Sequence, residues 1–265
     1  MSDGRGYRPV ERSATGRPLP AVRSSVGCRL YPQGMAADAD DPKYLHELVA
    51  WASKVDKLHE RYFVQPRDCH AGSRLDTDDA ALRPYHMSHE VTQRLSVAVD
   101  SLHGLRTMTM TEGDSGIGVG LRTYAPYPLL RAAIENACTV AWLLSPSDEA
   151  TRVTRRFQLW AKSHDARNDV ELMMKANEDK MHRVPEPVGW SRDLDWIERM
   201  RQYGVPDVDK TLKDPKRAAT TTRVVDSGAK ALAQGARDYK GYHYSLAWKG
   251  LSGASHGDLW ALMSL

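Results

Sequence analysis

Two charged residues lie one helical turn apart within the most apolar passage of the chain. Arg131 and Glu135 stand among residues 127 to 146, which are otherwise mostly Leu, Ala, Val, Ile and Trp. A spacing of four places both side chains on one face of an α-helix, where they can form an ion pair. Because a buried ion pair costs free energy unless other groups satisfy it, we expect a partner from another helix to reach this pair. Its simplest interpretation is a structural salt bridge that fixes helix register.

A second set of candidate residues follows on the next predicted helix. At about 100° per residue, one narrow stripe of this helix is apolar in its first half and polar in its second half. The apolar members are Val153, Phe157 and Trp160, and the polar members are His164, Arg167 and Glu171. This change predicts a core that opens into a polar layer or a cleft. His164 is then either a hydrogen-bonded core histidine or a group in that cleft. Arg155 and Arg156 flank the stripe and are expected to be exposed.

The third set lies in residues 242 to 257, near the C-terminus. If these residues are helical, one face carries hydroxyl, amino and imidazole groups, from Tyr242, Ser245, Lys249, Ser252 and His256. Ser252 and His256 are four residues apart and could form a hydrogen bond. A nucleophilic serine also needs a suitable chemical context, and neither a glycine elbow nor other acyl-transfer residues surround Ser252. The pair is therefore interpreted as a packing contact.

The motifs of the sequence indicate neither a metal site nor a phosphate-binding loop. His86 and His89 are three residues apart, and this spacing matches neither HExxH nor the paired Glu-xx-His motifs of carboxylate bundles. The three cysteines form no close pair, which argues against a disulfide framework and a zinc knuckle. The glycine-rich residues 112 to 120 lack the Lys-Ser/Thr pair of a P-loop. We therefore expect no metal and no other cofactor.

The composition is ordinary for a soluble globular protein, with 41% hydrophobic and 27% charged residues. A net charge of +3 neither requires nor excludes RNA as a partner, because binding depends on a local basic patch. The longest apolar passage is interrupted by Arg131, Glu135 and Asn136, so no segment is predicted to cross a membrane. The N-terminus lacks the apolar run of a signal peptide, and a cytoplasmic location is expected.

Residues 1 to 41 are predicted to form a disordered arm. They are rich in Arg, Gly, Pro and Ser and show no apolar period. Met35 begins a stretch that would make a natural protein start. Residues 1 to 34 are therefore interpreted either as an upstream extension of the reading frame or as a flexible basic tail. As a tail they could contact nucleic acid weakly, or have no partner at all.

The remaining residues, 42 to 265, are predicted to form one all-α domain. Apolar periodicity predicts helices over residues 42 to 62, 84 to 110, 128 to 144, 148 to 176, 190 to 203, 221 to 236 and 239 to 255. Residues 64 to 82 and 112 to 120 are predicted to be loops. Short connections favour antiparallel neighbours, so we expect a bundle of about six or seven helices. The third, fourth and last helices should meet and bring the charged candidates together: Arg131, Glu135, His164, Arg167 and His256.

Two stretches resemble a family of uncharacterised, largely actinobacterial helical proteins. The first is Leu-Leu-Arg-Ala-Ala-Ile-Glu-Asn-Ala at residues 129 to 137, with the Trp-Leu-Leu that follows. The second is the C-terminal stretch, through Tyr244, Trp248, Leu251, Ser252, His256 and Gly257. The resemblance covers about a third of the chain and implies a helical bundle without an assigned activity.

The C-terminal stretch is also similar to that of HEPN-type helical bundles, many of which are metal-independent ribonucleases. Their signature is an Arg, a polar residue, and a His about six positions on, at a dimer interface. Here Lys249 stands in place of the Arg, Gly250 in place of the polar residue, and His256 follows. The similarity implies that His256 would act as general acid or base, while the cation would stabilise the phosphorane.

Two functions are compatible with these patterns. In the first, the chain is a non-catalytic interaction or oligomerisation module, and its polar cluster of Arg131, Glu135, Glu171 and Ser252 is structural. In the second, it is a dimeric HEPN-like ribonuclease that uses His256 with Lys249, or His164 with Arg167. Geometry separates the two, since a catalytic cluster must open to a cleft with room for a phosphate, whereas a structural cluster is closed and fully paired.

Overall fold

The computed structural model describes residues 42–64, 69–83, 86–113, 116–119, 124–175, 190–205, 208, 219–234 and 240–256. The predicted arm, residues 1 to 41, lies outside these ranges. The helices are α1 (Pro42–His59), α2 (Arg74–Leu82), α3 (Met87–Thr109), α4 (Pro126–Leu144), α5 (Glu149–Lys175), α6 (Trp190–Gln202), α7 (Thr221–Ala233) and α8 (Gly241–Ser255). A π-helical turn, Glu60–Val64, continues α1, and a hairpin of β1 (Met110–Gly113) and β2 (Gly116–Val119) follows α3.

The fold is an all-α bundle, as the apolar periodicity predicts. Helix α4 is its centre, because α3, α7 and α8 all pack against it. A helix that is apolar on most sides is expected to be surrounded in this way. Pro126 begins α4 within its first turn, and the helix ends at Leu144, immediately before Ser145-Pro146. Across the described ranges, no helix is both long and apolar enough to span a bilayer.

The larger core cluster forms where α5 meets α3, α4 and α6. Val153 and Phe157, the first residues of the apolar stripe of α5, are fully buried. The Phe157 ring meets the Trp196 ring edge-on, with 5.1 Å between the ring centroids. The Trp160 ring stacks on the same Trp196 ring, also with 5.1 Å between centroids. Edge-to-face and stacked aromatic pairs add to the burial of apolar area. The aromatic residues of α5 therefore hold α6 against the bundle.

Helix α2 is a departure from the sequence-based prediction. Residues 64 to 82 were expected to form a loop, and this is wrong for the second half, which is helical. Ser73 caps the helix, since its hydroxyl accepts a hydrogen bond from the Asp76 backbone N–H at 3.2 Å. Asp78 and Asp79 then lie in the interior, at 0% and 8% exposure. Two of the acidic residues of this segment therefore lie in the interior and do not belong to a solvated loop.

The glycine-rich segment after α3 forms an antiparallel hairpin, although the sequence predicts a flexible loop there. Met110 pairs with Val119, and Gly113 pairs with Gly116. Helix α3 ends at Thr109, and the first strand begins at the next residue, Met110. Glycines at these positions give no alternating side-chain pattern, so periodicity cannot detect the strands.

Candidate functional site

The most deeply buried charges of the described residues are Asp78 on α2 and Arg152 on α5. Their side chains are 0% and 4% exposed. Arg152 Nε and Nη2 donate to the two carboxylate oxygens, each at 2.7 Å. Its Nη1 donates to the carbonyls of Pro146 and Ser147 at 3.1 and 2.8 Å. The hydrogen bonds to Asp78 raise the pKa of Arg152, so this guanidinium stays charged. A bidentate pair in which all three guanidinium nitrogens donate to protein acceptors is structural.

Three arginines satisfy the carbonyls at the end of α4 and in the turn to α5. Arg152 donates to the Pro146 and Ser147 carbonyls. Arg74 of α2 donates to the Pro146 carbonyl, and Arg155 of α5 donates to the Trp142 carbonyl. The Arg155 guanidinium also lies 5.0 Å above the Trp142 ring. Terminal carbonyls of a helix lack intrahelical partners, and cations stabilise the negative end of its dipole. Arg155 is half-buried and makes a structural contact, so the expectation that it is exposed is wrong.

Glu90 on α3 joins two arginines from different helices. Arg94 Nε donates to one of its oxygens at 2.6 Å, and Arg156 Nη2 of α5 lies 3.3 Å from the other. Arg156 was expected to be exposed, but its side chain is 13% exposed and lies 5.1 Å above the Trp196 ring. Burial lowers the pKa of Arg156, and the Glu90 charge opposes this change. The Glu90 carboxylate therefore forms ion pairs with two arginines in the core.

Arg131, Glu135 and His256 lie together at the contact between α4 and α8. Arg131 Nε is 3.8 Å from Glu135 Oε2, and the two side chains are each 30% exposed, so the pair is less buried than expected. Trp248 of α8 supplies the partner from another helix, since its Nε1 donates to Glu135 Oε2 at 3.2 Å. Arg131 Nη1 lies 3.4 Å from His256 Nε2. These contacts join a cation and a carboxylate that are each 30% exposed to the imidazole of His256, which is exposed.

Among the candidates whose side chains the structure describes, Lys249 and Ser252 do not join these contacts. Lys249 lies on the outer face of α8, about 10 Å along the helix from His256. The Ser252 carbonyl accepts a bond from the His256 backbone N–H at 3.2 Å, while the His256 ring contacts Arg131. His164, Arg167 and Glu171 belong to α5, and their side chains lie outside the described part of the structure.

A partly enclosed cavity lies beside Glu135, between α3, α4, α5 and α7. Its volume is about 220 Å³. The charged lining consists of Arg94, Glu135 and Lys162, and Lys162 Nζ donates to Thr221 Oγ1 at 2.6 Å. Burial lowers the pKa of Lys162, an effect that Glu135 opposes and Arg94 reinforces. Sequence reasoning missed Lys162, because a single lysine on a charged helix carries no motif.

A larger groove of about 410 Å³ lies on the outer side of α7 and α8. Asp226 and Lys230 of α7 form one wall, and Tyr242, Leu246 and Lys249 of α8 form the other. Tyr242 is 60% exposed and Leu246 is 67% exposed. We call this surface, defined by these five residues, the α7–α8 face.

The described residues contain no group of three His, Cys, Asp or Glu side chains that could hold a metal ion. His86 lies 3.5 Å from Asp79 and its ring contacts that of His89 at 4.9 Å between centroids. Comparisons of the chain with known protein families, with curated proteins and with solved structures found no match.

Proposed function

We propose that this chain is a non-catalytic helical-bundle module that associates with a second copy of itself through the α7–α8 face. The observation that carries the proposal is the second apolar surface of α8. Its inner side buries Trp248 and Leu251 against the bundle, while Leu246 and Tyr242 point outward and are mostly exposed. Large apolar side chains grouped beside a groove are typical of interaction surfaces.

The charges of the α7–α8 face favour a second copy as the occupant. The groove carries Asp226 together with Lys230 and Lys249. In a twofold interface each patch meets itself, so it must carry charges of both signs to avoid repulsion. Asp226 of one copy can then pair with a lysine of the other, around a centre of Tyr242 and Leu246. This arrangement places charge at the rim and apolar side chains at the centre.

The polar clusters support a non-catalytic role. Asp78 and Arg152 saturate each other, and both Glu90 oxygens are occupied by arginines. Groups held in this way link helices and leave no position for a reacting atom. Asp78, Arg152 and Glu90 are then part of the scaffold, and self-association takes place at the surface.

Leu246→Glu is expected to weaken self-association of the full chain by about tenfold or more, because burial of one leucine is worth about 1.5–3 kcal/mol. Sedimentation equilibrium measures the dimer dissociation constant of wild type and variant. Met173→Glu is the matched control, since Met173 is 68% exposed and belongs to α5, which contributes no residue to the α7–α8 face. A wild-type chain that is monomeric at every concentration would contradict the proposal, as would an equal effect of both substitutions.

Metal-independent ribonuclease activity is the second candidate function, with RNA as substrate. The contact of 3.4 Å between Arg131 Nη1 and His256 Nε2 favours it. An imidazole can transfer a proton, and a neighbouring guanidinium can stabilise the charge of a phosphorane. Arg131, from α4, then takes the role that the sequence similarity assigns to Lys249. The pair is half-exposed, so a phosphodiester could approach it.

If this second function holds, His256→Ala should reduce RNA cleavage in the presence of a metal chelator by about 100-fold or more. A labelled single-stranded RNA incubated with the purified chain provides the measurement. His70→Ala is the control, because His70 is an exposed loop histidine far from α8 in sequence. Absence of cleavage by the wild-type chain, or equal cleavage by His256→Ala, would eliminate this candidate.

A further inference from the structure

We infer that the cavity between α3, α4, α5 and α7 binds a small oxyanion of the phosphate class. It is lined by Arg94, Glu135, Thr139, Leu159, Lys162, Ser163, Thr221 and Val224. Its volume of about 220 Å³ exceeds the roughly 150 Å³ that accommodates a benzene ring. The space is therefore sufficient for a phosphate group and a small substituent.

Among the described side chains around this cavity, positive charges outnumber negative ones. Two described carboxylates contact or face four described cations in the connected ion pairs and the cavity wall. The cations are Arg94, Arg131, Arg156 and Lys162, and the carboxylates are Glu90 and Glu135. Arg131 and Glu135 are each 30% exposed, whereas the Arg94 and Arg156 side chains are 24% and 13% exposed. Positive charge at such partly buried positions is costly, and a bound anion would reduce this cost. A bound oxyanion would supply the missing negative charge.

The donors that face the cavity come from three different helices. Lys162 of α5 has three N–H groups, and its bond to Thr221 uses one of them. Thr221 accepts that bond through its hydroxyl oxygen, so its own proton can be donated to a ligand. Thr221 is also the first residue of α7, where the helix dipole favours an anion. Arg94 of α3 donates through Nε to Glu90 at 2.6 Å and through Nη1 to Asn136 at 3.3 Å, so Nη2 is the nitrogen that it can offer an oxyanion beside these groups.

The remaining polar groups of the wall are committed elsewhere. The Thr139 and Ser163 hydroxyls donate to carbonyls of their own helices at 2.7 and 3.1 Å. Glu135 Oε2 accepts from Trp248 at 3.2 Å, and Arg131 Nε lies 3.8 Å from the same oxygen. Glu135 is the one described residue of the wall that repels an anion. Lys162 and Glu135 should therefore have opposite effects on binding.

Titration of the full chain with inorganic phosphate, at constant ionic strength adjusted with sodium chloride, tests this inference. Isothermal titration calorimetry gives the dissociation constant of each variant. Lys162→Met should weaken binding by about tenfold or more, since it removes a charge-assisted hydrogen bond. Glu135→Gln keeps the side-chain shape and removes the repulsive charge, so it should strengthen binding severalfold. Lys54→Met is the control, because it removes one positive charge from an exposed position on α1.

Opposite changes for Lys162→Met and Glu135→Gln, with Lys54→Met close to wild type, support a phosphate site in this cavity. The use of two variants with opposite effects keeps the test valid even if one of them folds poorly. Absence of saturable binding by the wild-type chain overturns the inference, and so does binding that neither cavity variant changes. The cavity is separate from the α7–α8 face, so the inference does not depend on self-association.

Discussion

Arg152→Met is expected to lower the free energy of unfolding by about 3 to 5 kcal/mol. The substitution removes the only charged partner that the described contacts give Asp78, whose side chain is 0% exposed, and leaves a carboxylate in the interior. It also removes the donors of the Pro146 and Ser147 carbonyls. Urea denaturation followed by circular dichroism measures the loss.

A surface ion pair provides the control for this experiment. Arg201 lies 3.9 Å from Glu198 on α6, with both side chains more than half exposed. Arg201→Met should therefore cost less than about 1 kcal/mol. The double variant Asp78→Leu with Arg152→Met should regain part of the loss, because no unpaired charge remains buried. Equal destabilisation by Arg152→Met and Arg201→Met would refute the assignment of Asp78–Arg152 as the principal buried pair.

Gly228→Ala is expected to destabilise the fold by at least about 2 kcal/mol, because it adds a methyl group where two helices touch. A Cβ at Gly228 of α7 would lie 1.9 Å from the Cys138 carbonyl oxygen of α4 and 2.6 Å from its carbonyl carbon. Both obstacles are main-chain atoms, so relief requires the helices to separate. That separation would loosen the cluster in which Cys138 packs with Val225, Ala229 and Trp248.

Gly104 provides a matched control within another helix. A Cβ at Gly104 of α3 would meet the Leu129 side chain at 3.8 Å, an ordinary contact distance. Gly104→Ala should therefore be neutral or stabilise the protein by up to about 1 kcal/mol through helix propensity. Thermal and urea unfolding of both variants give the comparison. Equal free energies of unfolding for Gly228→Ala and Gly104→Ala would contradict the close approach of α4 and α7 at Gly228.

The helices themselves could be predicted from local rules. The apolar period and Ser145-Pro146 predict a helix over residues 128 to 144, and α4 spans Pro126–Leu144. The helix predicted over 148 to 176 is α5, Glu149–Lys175. Periodicity, proline and capping residues act over a few positions, so they are visible in the sequence. Helix α2 was missed because its inward residues include aspartates, which pattern analysis assigns to solvent.

The candidate site was predictable only in part. The spacing of Arg131 and Glu135 indicates their pairing, because both residues belong to one helix. Trp248 contacts Glu135, from which it is 113 positions away in the sequence. His256 contacts Arg131, from which it is 125 positions away. Helix spacing contains no information about such partners.

The sequence by itself determined the all-α class, the bounds of most helices and the apolar stripe that α5 buries. Only the tertiary structure decided that Asp78 pairs with Arg152, 74 positions away, and that Lys162 lines a cavity beside Glu135. The physical reason is that helix formation depends on neighbours within one or two turns. The burial and charge state of a polar side chain depend on the helix packed across from it.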